Sequence, residues 1–85
     1  MDEERLRKNL ARNMRYLREQ RNPRMSQTML AKKLGVTQTS ISKYENGILL
    51  PPLHVLAELA ECFGFQMDDL LSAALPGKKG RKENE

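Results

Sequence analysis

SQTMLAKKLGVTQTSISKYENG, residues 26–47, is the stretch on which the fold turns. It writes two short helices back to back. Ser26 can cap the first, its hydroxyl accepting from the unpaired amides of the opening turn, and Thr37 can cap the second in the same way. Each cap follows an apolar residue placed to meet another at the fourth helical position, Met25 with Leu30 and Val36 with Ile41, which fixes how the chain enters each helix. Gly35 stands where the first helix must close in a left-handed residue. Only Gly35, Val36 and Thr37 separate Leu34 from Gln38, so the two helices must cross steeply.

Such a pair is a helix-turn-helix, whose second helix can be laid into a DNA major groove. Its flanks extend the pattern: LREQR at Leu17 to Arg21 with Met25, Ser26 and Gln27 upstream, then YENG at Tyr44 to Gly47, Pro51, LHVLAELAECFGF and MDDLL downstream. In this order the chain resembles the phage repressor and Cro proteins, the Xre family, over roughly residues 9 to 71. The resemblance implies an all-α fold, a compact five-helix repressor-like DNA-binding domain over residues 1–75 with the helix-turn-helix at helices 2 and 3.

Eighty-five residues suit one domain with a modest core. The aliphatic run Ile48 to Leu50 is short and closed by two prolines, and no stretch reads as a signal peptide or a membrane span. A soluble, cytoplasmic protein is expected. Cys62 is the single cysteine and cannot form an internal disulfide, and no cluster of Cys or His suggests a metal; no cofactor or small-molecule ligand is implied. With one His and one Cys, no nucleophile and base can be assembled, so an enzyme is not expected.

Charge is unevenly placed. Residues 1–50 carry eleven Lys and Arg against five acids, residues 51–75 carry four acids and no base, and the last ten carry four bases and two acids, within a net charge of +4. A basic half beside an acidic one would orient the domain on a polyanion.

Helix 1 is expected from about Asp2 to Arg21, with Asp2, Glu3 and Glu4 at the positive end of its dipole and Glu3 and Glu4 paired with Arg7 and Lys8. Asn22 must leave the helix because it precedes Pro23. Leu6, Leu10, Met14 and Leu17 form the core stripe, while Arg5, Arg12, Arg15 and Arg18 lie off it on what reads mostly as a solvated face. The resemblance singles out Arg18: it implies a partly buried ion pair with Glu45 that sets helix 3 against helix 1. The connector Asn22 to Met25 is about two residues longer than is usual in the family and leaves Arg24 either near a phosphate or simply exposed.

In helix 2, Leu30, Ala31 and Leu34 face the core while Lys32 and Lys33 point outward. Winding Gln38 to Glu45 at about a hundred degrees per residue buries Ile41 and Tyr44, puts Glu45 at the margin, and turns Thr39, Ser42 and Lys43 outward with Gln38 at the leading end. These side chains suit base edges: an amide matches adenine, a lysine matches guanine acceptors, and a threonine methyl meets a thymine methyl. The family implies base contacts at Gln38, Thr39 and Lys43, and the outward position adds Ser42. It also implies phosphate contacts at Gln27 and Asn46, and Ser26, Lys33 and Ser40 complete the expected phosphate set.

After Gly47 the sequence departs from the family, with Ile48, Leu49 and Leu50 where basic or polar residues are usual. Three aliphatics there mean either core cover or contact with another subunit. Pro51 and Pro52 suit a helix entrance, Leu53, Leu56, Ala60 and Phe63 read as its core stripe, and Gly64 closes it. His54 reads as a surface residue and Cys62 as a partly buried thiol. A last helix is expected from about Met67 to Ala74, contributing Met67 and Leu70 to the core, with Leu71 either in the core or, like Phe65 and Leu75, a candidate for partner contact. The tail PGKKGRKENE, residues 76–85, has nothing apolar to anchor it and reads as disordered, with Lys78, Lys79, Arg81 and Lys82 either attracting DNA or only solubilising.

The expected function is sequence-specific DNA-binding transcription regulation, as a repressor-like homodimer on double-stranded DNA with a palindromic operator. One short helix reads few base pairs, so two copies about 34 Å apart would be needed to enter successive major grooves. The alternative is a helical adaptor that binds protein rather than DNA through Ile48 to Leu50, or an antitoxin-type regulator that binds a partner protein as well as DNA.

Overall fold

Local signals place the helices, and apolar stripes then bring them together. The computed structural model describes residues 2–76 and holds α1 (Glu3–Gln20), α2 (Gln27–Leu34), α3 (Gln38–Glu45), α4 (Leu53–Phe63) and α5 (Met67–Leu70). The charged tail beyond Pro76 lies outside the described residues. Asp2, Ser26 and Thr37 cap α1, α2 and α3 through side-chain oxygens that accept from Glu4 N, Met29 N and Ser40 N. At the turn, Gly35 takes φ 70°, which lets Val36 N reach Ala31 O at 3.0 Å and closes α2.

The core is a single cluster in which Leu10, Met14 and Leu17 of α1 meet Leu30 and Leu34 of α2, Ile41 and Tyr44 of α3, and the inner face of α4. Among the described residues no helix is long and apolar enough to cross a membrane.

Four expectations for the C-terminal half do not hold. The buried stripe of α4 is Val55, Leu56, Leu59 and Ala60, whereas Leu53, expected in the core, is 70% exposed. Leu53 opens the helix straight after Pro52, and in a segment with apolar residues on most sides the spacing alone does not choose the buried face. The last helix stops at Leu70 rather than Ala74, and side chains from α1 take the main-chain oxygens at and beyond its end. Asn13 Nδ2 donates to Leu70 O at 2.8 Å and Ser72 O at 3.0 Å, Asn9 Nδ2 to Leu71 O at 2.9 Å, and Arg12 to Ala73 O. Met67, expected inside, is exposed at the start of this short helix. Phe65, expected free for a partner, is buried in the core, and Leu71 and Leu75 lie half-buried against it.

The crossing of α1 and α3 is pinned by charge. Arg18 Nε and Nη2 donate to Glu45 Oε2 and Oε1 at 2.7 and 2.8 Å, the fork geometry that suits a guanidinium and a carboxylate. Glu45, expected at the margin of the helix, has a side chain with no exposed surface. Arg18 Nη1 also donates to Met25 O at 3.0 Å, tying in the connector before α2. The Glu45 hydrogen bonds raise the Arg18 pKa above its ordinary value, against desolvation, and the charges of Glu45 and Glu19 add to the rise. A raised arginine loses its contribution only as pH climbs past its already very basic range, so its side of the pair adds no pH dependence near neutrality.

Five variants test this packing by urea unfolding. Leu59→Ala is expected to cost about 2–5 kcal/mol, whereas Leu53→Ser should stay within about 0.5 kcal/mol, which checks the face that α4 buries. Asn13→Ala is expected to cost about 1–3 kcal/mol by leaving the buried Leu70 carbonyl without this donor. For the ion pair, Arg18→Met should cost about 3–5 kcal/mol while Arg18→Met with Glu45→Leu recovers most of the loss, and equal stability of the single and double variants would contradict a buried pair.

Candidate nucleic-acid interface

What α3 presents outward follows from what it must bury. Ile41, Tyr44 and Glu45 are turned inward, which leaves Gln38, Thr39 and Lys43 exposed and Ser42 half-buried on the opposite side. The four residues expected to meet bases thus lie along the side of α3 opposite its buried residues. Their donors and acceptors differ in kind, and that variety is what reading of base edges requires.

The residues expected at phosphates separate into groups. Gln27, half-buried at the start of α2, is joined to both neighbours: its Oε1 accepts from Gln38 Nε2 at 2.7 Å, and its Nε2 donates to Glu45 Oε1 at 3.0 Å. Ser26 is exposed and its hydroxyl oxygen caps α2. Ser40 is half-buried beside Thr37, whose hydroxyl donates to it at 3.1 Å. Asn46 is exposed at the end of α3 with its Nδ2 3.3 Å from Ser42 Oγ. Lys33 stands apart, exposed on a cleft shared with Arg21, Glu58, Glu61 and Cys62 between α2 and α4. Arg24, in the connector, is exposed with Nη2 3.9 Å from Glu19.

Sequence reasoning missed how α1 serves this site. Arg15, assigned to a solvated face, places Nη2 at 3.3 Å from Glu45 O and 3.4 Å from Asn46 Oδ1. Arg7 Nε donates to Gly47 O at 3.1 Å. With Arg18, three guanidiniums gather on the C-terminal end of α3, where the helix dipole favours positive charge. The signal was present in the spacing of Arg7, Arg15 and Arg18, which share a side of α1, but it could not be told from a solvated face without knowing what α1 crosses.

Beyond α3 the loop keeps its aliphatic character at the surface. Ile48 and Leu49 are 62% and 48% exposed, while Leu50 is half-buried against the core, so only the last of the three acts as core cover. Gly47 takes φ 71°, a conformation that allows Ile48 N to reach Lys43 O at 3.0 Å and turns the chain sharply off the end of α3.

The helix-turn-helix family profile matches residues 14–70, a span that takes in the five helices from the middle of α1 to the end of α5. No curated protein and no solved structure matches the chain. The matched span contains the capped helix pair, its glycine turn and the buried pair that sets α3, and the chain belongs to the Xre-like helix-turn-helix family of DNA-binding regulators.

Proposed function

We propose that this chain is a sequence-specific transcriptional repressor of the cytoplasm that binds a two-fold operator as a homodimer and reads the major groove with α3. The observation that carries the reading is the outward strip of Gln38, Thr39, Ser42 and Lys43 on a helix held rigidly from behind by Ile41, Tyr44 and Glu45. In this reading those four residues meet bases, and Ser26, Gln27, Lys33, Ser40 and Asn46 meet phosphates. Gln27 serves the groove side as well, since its amide is bonded to that of Gln38.

A homodimer fits two features. An eight-residue helix spans too few base pairs to be selective alone, and a symmetric pair doubles the site. Exposed Ile48, Leu49 and Leu53 offer apolar surface to a second copy, and the same surface would serve a different protein partner in the antitoxin-type alternative. Light scattering without DNA separates a self-associating chain from one that stays monomeric until a partner is added.

Selection of bound oligonucleotides from a random pool tests the reading directly. A recovered site with two-fold symmetry and half-sites one helical turn apart is expected; a site with no base preference would refute it. Gln38→Ala should cost about 1–3 kcal/mol of discrimination at one base pair in each half-site. Asn46→Ala should instead weaken all sequences alike, by about 1 kcal/mol, as measured by titration of specific and scrambled duplexes.

A further inference from the structure

A primary amide can face either way in the same space, offering its NH2 or its oxygen to a given neighbour, and its neighbours decide which. At Gln38 that decision is made two residues back along a hydrogen-bonded chain. The chain begins at Glu45, a carboxylate that can only accept. Its oxygens take two donors from Arg18, at 2.7 and 2.8 Å, and a third from Gln27 Nε2 at 3.0 Å. Facing a carboxylate, Gln27 must present its NH2, so its oxygen is turned the other way. There it accepts from Gln38 Nε2 at 2.7 Å, which obliges Gln38 to present its own NH2 inward.

One N–H of Gln38 is used in this contact. The second N–H and Oε1 remain on the outer edge of the amide in a fixed order, and a base offering an acceptor and a donor in the matching order is favoured over its mirror arrangement. An amide at position 45 would accept or donate equally well, and the order at Gln38 would no longer be set. Glu45 itself has no exposed surface and cannot touch DNA.

We propose that Glu45 is a specificity-determining positioning residue, which acts through Gln27 to fix the direction in which the Gln38 amide faces a base. The proposal rests on the reading of Gln38 as a base contact, but the fixing of the amide is a property of the protein without DNA. The two are therefore separable by experiment.

The side-chain amide signals of Gln27 and Gln38 in the DNA-free protein report the fixing. In the unaltered chain both are expected to be well dispersed and rigid. In the variant carrying Arg18→Met and Glu45→Leu, whose fold is checked by the backbone signals of the same spectrum, they should move toward the values of freely rotating glutamines. Oligonucleotide selection on the same variant should show base preference at the Gln38 position reduced by about fivefold or more, which corresponds to the lower end of what a bidentate amide contact supplies. Gln27→Met, which leaves the Arg18 and Glu45 pair whole but cuts the chain, should give both results and replaces the double variant if that does not fold. Unchanged Gln38 signals and unchanged preference in these variants, alongside a preference abolished by Gln38→Ala, would overturn the positioning role. Should Gln38→Ala leave base preference intact, the base-contact reading itself fails, and the specificity role falls with it even where the amide signals move.

Discussion

Everything outward on α3 depends on something inward, the fork of Arg18 on Glu45. Helix pairs joined by a three-residue turn have their crossing angle set locally, but nothing in that turn decides how the pair sits on the rest of the molecule. Shared apolar packing brings the pair against α1, and the ion pair fixes where α3 crosses it. Burying a carboxylate is costly unless geometry and further donors compensate, and here both oxygens of Glu45 are engaged, with Gln27 and the more distant Arg15 completing the shell. Charge at this point therefore gives a single well-defined arrangement more than it gives stability.

Charge placement repeats that logic on a larger scale. Arg7, Arg15 and Arg18 of α1 meet the end of α3, and Asn9, Arg12 and Asn13 meet the segment after α5. Helix α1 thus carries an apolar stripe for the core and polar flanks that seize the exposed carbonyls where other helices stop. What reads as a solvated arginine face is in large part a set of groups that grip helix ends from a distance.

Legibility in the sequence followed the range of each interaction. The α2 to α3 unit was readable to the residue because caps, staples and Gly35 act over no more than five positions. Arg18 with Glu45 was readable only through family resemblance, since a pair separated by 27 residues leaves no local trace. The register of α4 was read only in part because apolar residues surround it: Leu56 and Ala60 belong to either stripe and are buried as expected, whereas Val55 and Leu59 take the inner place that spacing gave to Leu53. The end of α5 was missed for the opposite reason, since the residues that grip it lie some sixty positions upstream. In the site, the outward positions of Gln38, Thr39 and Lys43 followed from helical winding, whereas the inward link of Gln27 to Glu45 joins two elements and could not be wound out of either alone.

The clamp on the last turns has a consequence for how the molecule can vary. Asn9, Arg12 and Asn13 grip main-chain oxygens of Leu70, Leu71, Ser72 and Ala73, and every amino acid supplies such an oxygen in the same place. A grip of that kind is blind to side-chain identity. Ser72 adds a hydroxyl that donates to Asp69 O and Ala74 O, so its identity counts, but positions 73 and 74 can drift in sequence without loosening the grip of α1 on this segment.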